Sequence, residues 1–287
     1  MGEGTIFPRD RTTIVAVLNV TPDSFSDGGR FVRPDARIDI AGAVATGCAR
    51  VRDGAHVIDV GGESTRPGAR AVPVETEIAR TVPVLEALAK HTPAPLSIDT
   101  RKAAVADAAL TAGARIVNDV SGLRFDPDLA DVVARHGATL ILGHLRGRPE
   151  TMQRDIHFDA VLPEVASELA ASVETARRAG VPRERLVVDP GLGFGKTLEQ
   201  NLALLAGLRW LRKQLDLPVL VGPSRKSFLG ALTGDPVEAR EPATLAACAV
   251  AVFLGADAVR VHEAAGAVRV AAVCRALRRA HDEVPAS

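Results

Sequence analysis

Eight short runs rich in Val, Ile and Leu recur along the chain, separated by longer stretches whose apolar residues return every three or four positions. The runs are Ile14–Leu18, His56–Val60, Pro95–Ile98, Arg115–Val117, Thr139–Leu142, Leu186–Val188, Pro218–Val221 and Ala258–Val261. A short run that is apolar throughout suits a strand buried on both faces, and such strands alternating with helices build a parallel sheet. The stretch after the fifth run shows the helical grammar: Leu162, Val165, Ala166, Leu169, Val173 and Ala176 form one stripe. Pro163 suits its first turn, and Gly180 followed by Pro182 stops it. Four runs are preceded by the same dipeptide, Gly54-Ala55, Gly113-Ala114, Gly137-Ala138 and Gly255-Ala256. Glycine there can end a helix at positive φ, and alanine lets the chain turn closely into the sheet. This weak repeat favours a single (β/α)8 TIM barrel with a parallel eight-stranded core over an open sheet with a second domain. The 287 residues suit one such unit, spanning 13–280 with tails at 1–12 and 281–287, and no linker divides it.

Composition narrows the partners. Lys and Arg total 35 and so do Asp and Glu; with no net charge, no global field recruits nucleic acid or a membrane surface. Any anion site must therefore be local. No apolar segment approaches the roughly 20 residues of a membrane span, and residues 1–13 lack the apolar stretch of a signal peptide. A cytoplasmic, reducing setting is the expectation. Cys48, Cys248 and Cys274 lie far apart in Ala/Val-rich sequence without metal-ligand spacing, which reads as core packing. The Asn19-Val20-Thr21 sequon is accidental on the same view.

In a barrel, chemistry gathers at the carboxyl ends of the strands. In strand order those ends carry Asn19; Asp59, Glu63, Ser64, Thr65 and Arg66; Asp99 and Arg101; Asn118 and Asp119; His144 and Arg146; Asp189; Ser224, Arg225 and Lys226; Arg260 and His262. The Asp, Asn, Ser and Thr among them could, taken singly, simply cap the next helix. Eight polar ends on one rim are harder to explain that way. Arg66, Lys226, Arg260 and His262 could receive a phosphate-like anion, whereas Asp99, Asn118 and Asp189 could pair with the edge of a flat nitrogen heterocycle. Structural salt bridges across the barrel mouth are the competing reading.

The motif signals for a nucleotide site, a nucleophile and a metal site all fail. In Asp189-Pro-Gly-Leu-Gly-Phe-Gly-Lys-Thr197 a P-loop would need glycine at position 190, which is proline, and GxGxxG is absent. The segment reads better as a flexible loop that lets backbone approach a ligand and offers Phe194 as an apolar wall. GxSxG and HExxH are also missing. Catalysis by positioning and charge stabilisation, without a covalent enzyme intermediate, is what remains.

Together several segments resemble dihydropteroate synthases: "NVTPDSFSDGG" at 19–29, "DVGGESTRPG" at 59–68, "SIDT" at 97–100, "ND" at 118–119, "DPGLGFGK" at 189–196, "GPSRKSFL" at 222–229 and "RVH" at 260–262. They run in the family's order over nearly the whole chain. The resemblance implies condensation of 6-hydroxymethyl-7,8-dihydropterin diphosphate with 4-aminobenzoate, giving 7,8-dihydropteroate and diphosphate in folate biosynthesis. It implies that Asp99, Asn118, Asp189 and Lys226 hold the pterin, and that Asn19, Arg66, Arg260 and His262 hold the diphosphate. Mg2+ would bind the diphosphate and Asn19. Thr65, Pro67, Phe194, Lys226 and Ser227 resemble the aminobenzoate pocket, and Asn19, Asp99, Lys226, Arg260 and His262 are the implied catalytic set. Asp23 and Phe25 become candidates for a closing loop. Two departures stand out: Leu145 replaces a methionine expected against the pterin, and Glu263 replaces an aspartate. The family also implies sulfonamide inhibition and a homodimer through helices on the outer wall. A corrinoid-dependent methyltetrahydrofolate methyltransferase would share the pterin logic without needing "STRPG" or "SRKSFL"; a non-catalytic pterin-binding paralogue is the third reading.

Overall fold

The computed structural model describes residues 5–22, 31, 38–66 and 68–283. Asp23, Phe25 and Pro67 lie outside the described residues. The eight expected strands are β1 Thr13–Asn19, β2 Val57–Gly61, β3 Leu96–Asp99, β4 Ile116–Asp119, β5 Thr139–Gly143, β6 Leu186–Asp189, β7 Leu220–Val221 and β8 Ala258–Val261. All pair in parallel, in the order β6-β5-β4-β3-β2-β1-β8-β7. One bridge, Val188 to Val219, brings β6 and β7 together and nearly closes the barrel. β7 is shorter than the apolar run suggests because the Asp257 carboxylate, held by Arg212, accepts from the Val219 amide at 3.0 Å in place of a strand partner.

Helices α1 Ile40–Arg52, α2 Val74–His91, α3 Ala103–Thr111, α4 Leu129–His136 and α5 Val161–Arg178 follow the first five strands. α6 Leu198–Ala206 and α7 Leu208–Leu215 follow β6, α8 Ser227–Thr233 and α9 Glu241–Phe253 follow β7, and α10 Ala264–Asp282 follows β8. The Gly-Ala pairs act as a repeated helix stop: Gly54, Gly113, Gly137 and Gly255 have φ between 59° and 109°. Each following alanine donates five residues back, as in Ala55 N to Arg50 O at 2.9 Å and Ala138 N to Val133 O at 3.0 Å. That bond satisfies a carbonyl left over at the helix end and aims the chain at the next strand. In α5 the expected stripe is buried from Val165 to Ala176.

Same-face residues recur every second position along a strand. Val15, Val57, Ile116, Ile141, Val187, Leu220 and Ala258 meet inside the barrel. Phe7, from the segment before β1, joins them and is 2% exposed. The intervening residues, among them Leu18, Ile58, Ile98, Leu140 and Val259, pack outward against the helices. One pleat further toward the carboxyl ends, the inward positions become Asp59, Asn118, Asp189 and Arg260, with Asp99 following Ser97 on β3. The interior thus changes from apolar filling to a charged floor within two residues.

Candidate active site

That floor is one connected ion network. Arg260 donates through Nε to Asp59 Oδ2 at 2.6 Å and through Nη2 to Asp99 Oδ2 at 2.7 Å, and Asn118 Nδ2 donates to Asp59 Oδ2 at 3.1 Å. Asp59 is fully buried and Asp99 nearly so. Their other oxygens, both Oδ1, are buried and accept no hydrogen bond from the described residues. A buried acceptor without a donor is costly, and of these two residues Asp99 lines the cavity, where a ligand N–H could reach its Oδ1. Burial pushes the Asp99 carboxyl up to about 7; Arg260 opposes the shift, while Asp59 adds to it. Burial also raises Asp189, whose Oδ1 accepts the Gly191 amide at 2.7 Å.

Above the floor stands Lys226, the residue that opens α8. Its Nζ lies 3.7 Å from the centre of the Phe194 ring, a cation over an aromatic face. Burial lowers its ammonium to about 8, against the pull of Asp189. The loop between β6 and α6 makes this contact possible. A Cβ on Gly191 would fall 1.9 Å from the His144 carbonyl oxygen, and one on Gly193 would fall 2.9 Å from Lys226 Cδ. Both have positive φ, so glycine is required here by space and by backbone conformation. Lys196 pins the loop from beneath, donating to Gly191 O at 3.0 Å, Phe194 O at 2.9 Å and His144 Nδ1 at 3.0 Å. Burial lowers His144 to about 4. The neutral ring accepts from Lys196 on Nδ1 and donates from Nε2 to Glu168 at 3.1 Å.

The rim carries the rest. Asn19 ends β1, Thr65 and Arg66 come from the loop between β2 and α2, and His262 follows β8. His262 Nδ1 lies 2.8 Å from Ser224 Oγ, which also accepts the His262 amide at 3.2 Å. Burial, then Arg225 and Arg260, hold this histidine well below its ordinary pKa, so it is neutral at pH 7.

These side chains surround a cavity of about 500 Å³ at the carboxyl ends of the strands. Asn19, Thr65, Arg66, Asp99, Asn118, Asp189, Phe194, Lys226, Ser227, Arg260 and His262, all expected from sequence, line it. Leu145 is 4% exposed and is not among the lining residues; Met152, further along the same connection, is. Sequence reasoning left several contributors out of the site. Asp59 and Ser224 were visible as polar strand ends, but their bonds to Arg260 and His262 were not. Met152 sits in an irregular connection without periodicity, and Lys196 appeared only within the failed P-loop and the segment "DPGLGFGK", with no role of its own.

A parallel barrel with a polar, cation-bearing cavity at the carboxyl ends of its strands has the layout of a barrel enzyme. A family profile for pterin-binding enzymes matches residues 15–262, and the chain belongs to that family. Within it, several relatives of the chain are dihydropteroate synthases. That of Synechocystis is 45% identical over 270 residues, covering 94% of this chain and 91% of the relative. Among solved structures, the Yersinia pestis dihydropteroate synthase in complex with a sulfonamide drug superposes with a TM-score of 0.88 at 38% identity, covering 95% of this chain and 96% of that one. The Xanthomonas albilineans dihydropteroate synthase with 7,8-dihydropteroate gives 0.81 at 39% identity, covering 97% and 96%.

Proposed function

We propose that this chain condenses 6-hydroxymethyl-7,8-dihydropterin diphosphate with 4-aminobenzoate, forming 7,8-dihydropteroate and diphosphate for folate biosynthesis. The observation that carries the reading is the floor: Asp99, held by Arg260, lines the cavity with a buried Oδ1 that has no donor among the described residues, beside Asn118 and Asp189 and beneath a rim of cations. Asp99, Asn118 and Asp189 hold the aminopyrimidine edge of the pterin. The diphosphate then reaches Asn19, Arg66 and the neutral His262, with the Nη1 end of Arg260, which takes no part in the floor bonds to Asp59 and Asp99. Departure of diphosphate leaves a cationic methylene on the pterin. The aminobenzoate nitrogen attacks that carbon, the new C–N bond replaces the broken C–O bond, and the nitrogen releases a proton. Positive charge at Arg66, Arg260 and Lys226 stabilises the leaving group as it forms. Phe194 and Lys226, with Thr65 and Ser227, shape the aminobenzoate pocket and keep water from the methylene cation.

Magnesium fits as an ion carried by the substrate. Among the described residues no group of three or more acidic, histidine or cysteine side chains converges, and the floor carboxylates are bonded to Arg260. Asn19 would hold Mg2+ together with diphosphate and water, and the bound ion would neutralise charge on the leaving group. Product formation should require pterin diphosphate, aminobenzoate and Mg2+ together. Tight pterin binding without product would instead favour the non-catalytic reading. Sulfonamides should compete with aminobenzoate, with excess aminobenzoate restoring the rate.

The setting proposed is cytoplasmic: no described helix is long and apolar enough to cross a membrane, and Cys48, Cys248 and Cys274 are unbridged. Val250 on α9 and Val273 and Leu277 on α10 are 46%, 59% and 56% exposed. This apolar outer face supports a homodimer through α9 and α10. Sedimentation of wild type against Leu277→Glu tests it, a monomeric wild type counting against the dimer.

A further inference from the structure

The loop between β2 and α2 brings Thr65 and Arg66 to the cavity, yet its two ends are joined by side chains and not by a strand ladder. Glu63 Oε2 accepts the Val72 amide at 2.7 Å, and Lys102 Nζ donates to the Val72 carbonyl at 2.5 Å. Lys102 also donates to Glu63 Oε2 and to Glu77 Oε2, each at 2.6 Å, which uses all three of its hydrogens. Arg101 closes on the other oxygen of Glu63 through Nε at 3.1 Å and Nη2 at 2.9 Å. The four residues are between 1% and 7% exposed, and their charges sum to zero.

Stability alone does not require this arrangement, because buried ion clusters can often be replaced by apolar groups of similar volume without loss. An apolar cluster could not hold the N–H and C=O of one residue at the far end of a loop. We infer that Lys102 is a positioning residue for the transfer reaction: by clasping Val72 to Glu63 it closes the base of the loop and holds Thr65 and Arg66 at the cavity. Lys102 does not itself line the cavity. It acts through Glu63 and Val72, which flank the loop. A displacement of reacting groups by about 1 Å can reduce a rate by about 100-fold, which is ample leverage for such a clasp.

The inference rests on the synthase reading, and the test separates the two. Lys102→Met leaves two buried carboxylates facing one arginine, so a second variant, Lys102→Met with Glu77→Gln, keeps the cluster neutral. In the folded double variant we expect the KM for aminobenzoate and for pterin diphosphate to rise about 10- to 100-fold. Binding of a pterin lacking diphosphate, which reaches only the floor, should stay within about twofold, since the floor bonds are untouched. Amide hydrogen exchange across residues 64–72 should quicken while that of β2 does not. Unchanged KM values and unchanged exchange in a folded double variant would overturn the role of Lys102. An inactive wild type would overturn the synthase reading instead.

Discussion

Lys226 and Lys196 are both surrounded by protein at the same site, and burial lowers both ammonium groups, to about 8 and about 7. Their partners differ. Lys196 is committed to backbone, donating to the carbonyls of Gly191 and Phe194 and to the His144 ring. Lys226 faces the cavity, over the Phe194 ring and near Asp189. A depressed lysine pKa therefore reports burial, and only the partners distinguish a loop staple from a group presented to substrate. The two are mechanically linked, because the loop that Lys196 pins carries the ring against which Lys226 rests.

Lys226→Ala should give the largest effect, reducing kcat/KM by about 1000-fold while thermal unfolding shifts little. A rate near wild type would break the contrast at its centre. Lys196→Met should act in the opposite proportion. Unpartnered loop carbonyls should lower stability by about 1–3 kcal/mol, read by denaturant unfolding, and activity should fall only about 10-fold as Phe194 shifts. A 1000-fold loss at unchanged stability would move Lys196 into the reacting set.

A pH profile sharpens the contrast further. Lys226 drops from 10.5 to about 8 on folding, so between about pH 8 and 10.5 the unfolded chain binds more protons there. The stability contribution of this group consequently rises with pH across that window. Activity that relies on the ammonium moves the other way, and kcat/KM should decline through about pH 8. Lys226→Arg should carry that limb to higher pH, because guanidinium stays protonated, whereas Lys196→Met should leave it in place. The smallest effect is expected for Lys213→Ala: this exposed lysine on α7 does not line the cavity, and its loss should change stability by about 0.5 kcal/mol or less, with activity unaltered.

Much of the barrel and its rim is legible in the amino-acid order. The runs from Ile14–Leu18 to Ala258–Val261 form strands, and the four Gly-Ala pairs form helix stops, because both signals are local. Strand ends point to the rim for the same reason: a parallel barrel sends every carboxyl end to one face. Asp59 shows where that legibility stops. It reads as one more polar strand end, yet its bonds to Arg260 and Asn118 span 201 and 59 residues of sequence. Glu63 likewise reads as one more polar residue after a strand, and its tie to Lys102 depends on how two neighbouring loops pack.

The amino-acid sequence by itself determined the alternation of strands and helices, the turns between them, and the supply of carboxylates and cations to one end of the barrel. These follow from backbone preferences and from periodicity within a few residues. Tertiary structure alone decided which side of each strand faces inward, since a strand apolar on both faces carries no alternation to read. It also decided which carboxylate Arg260 binds and which lysine meets the cavity. Those outcomes depend on burial and on hydrogen-bond partners brought together from distant strands, and no local pattern encodes them.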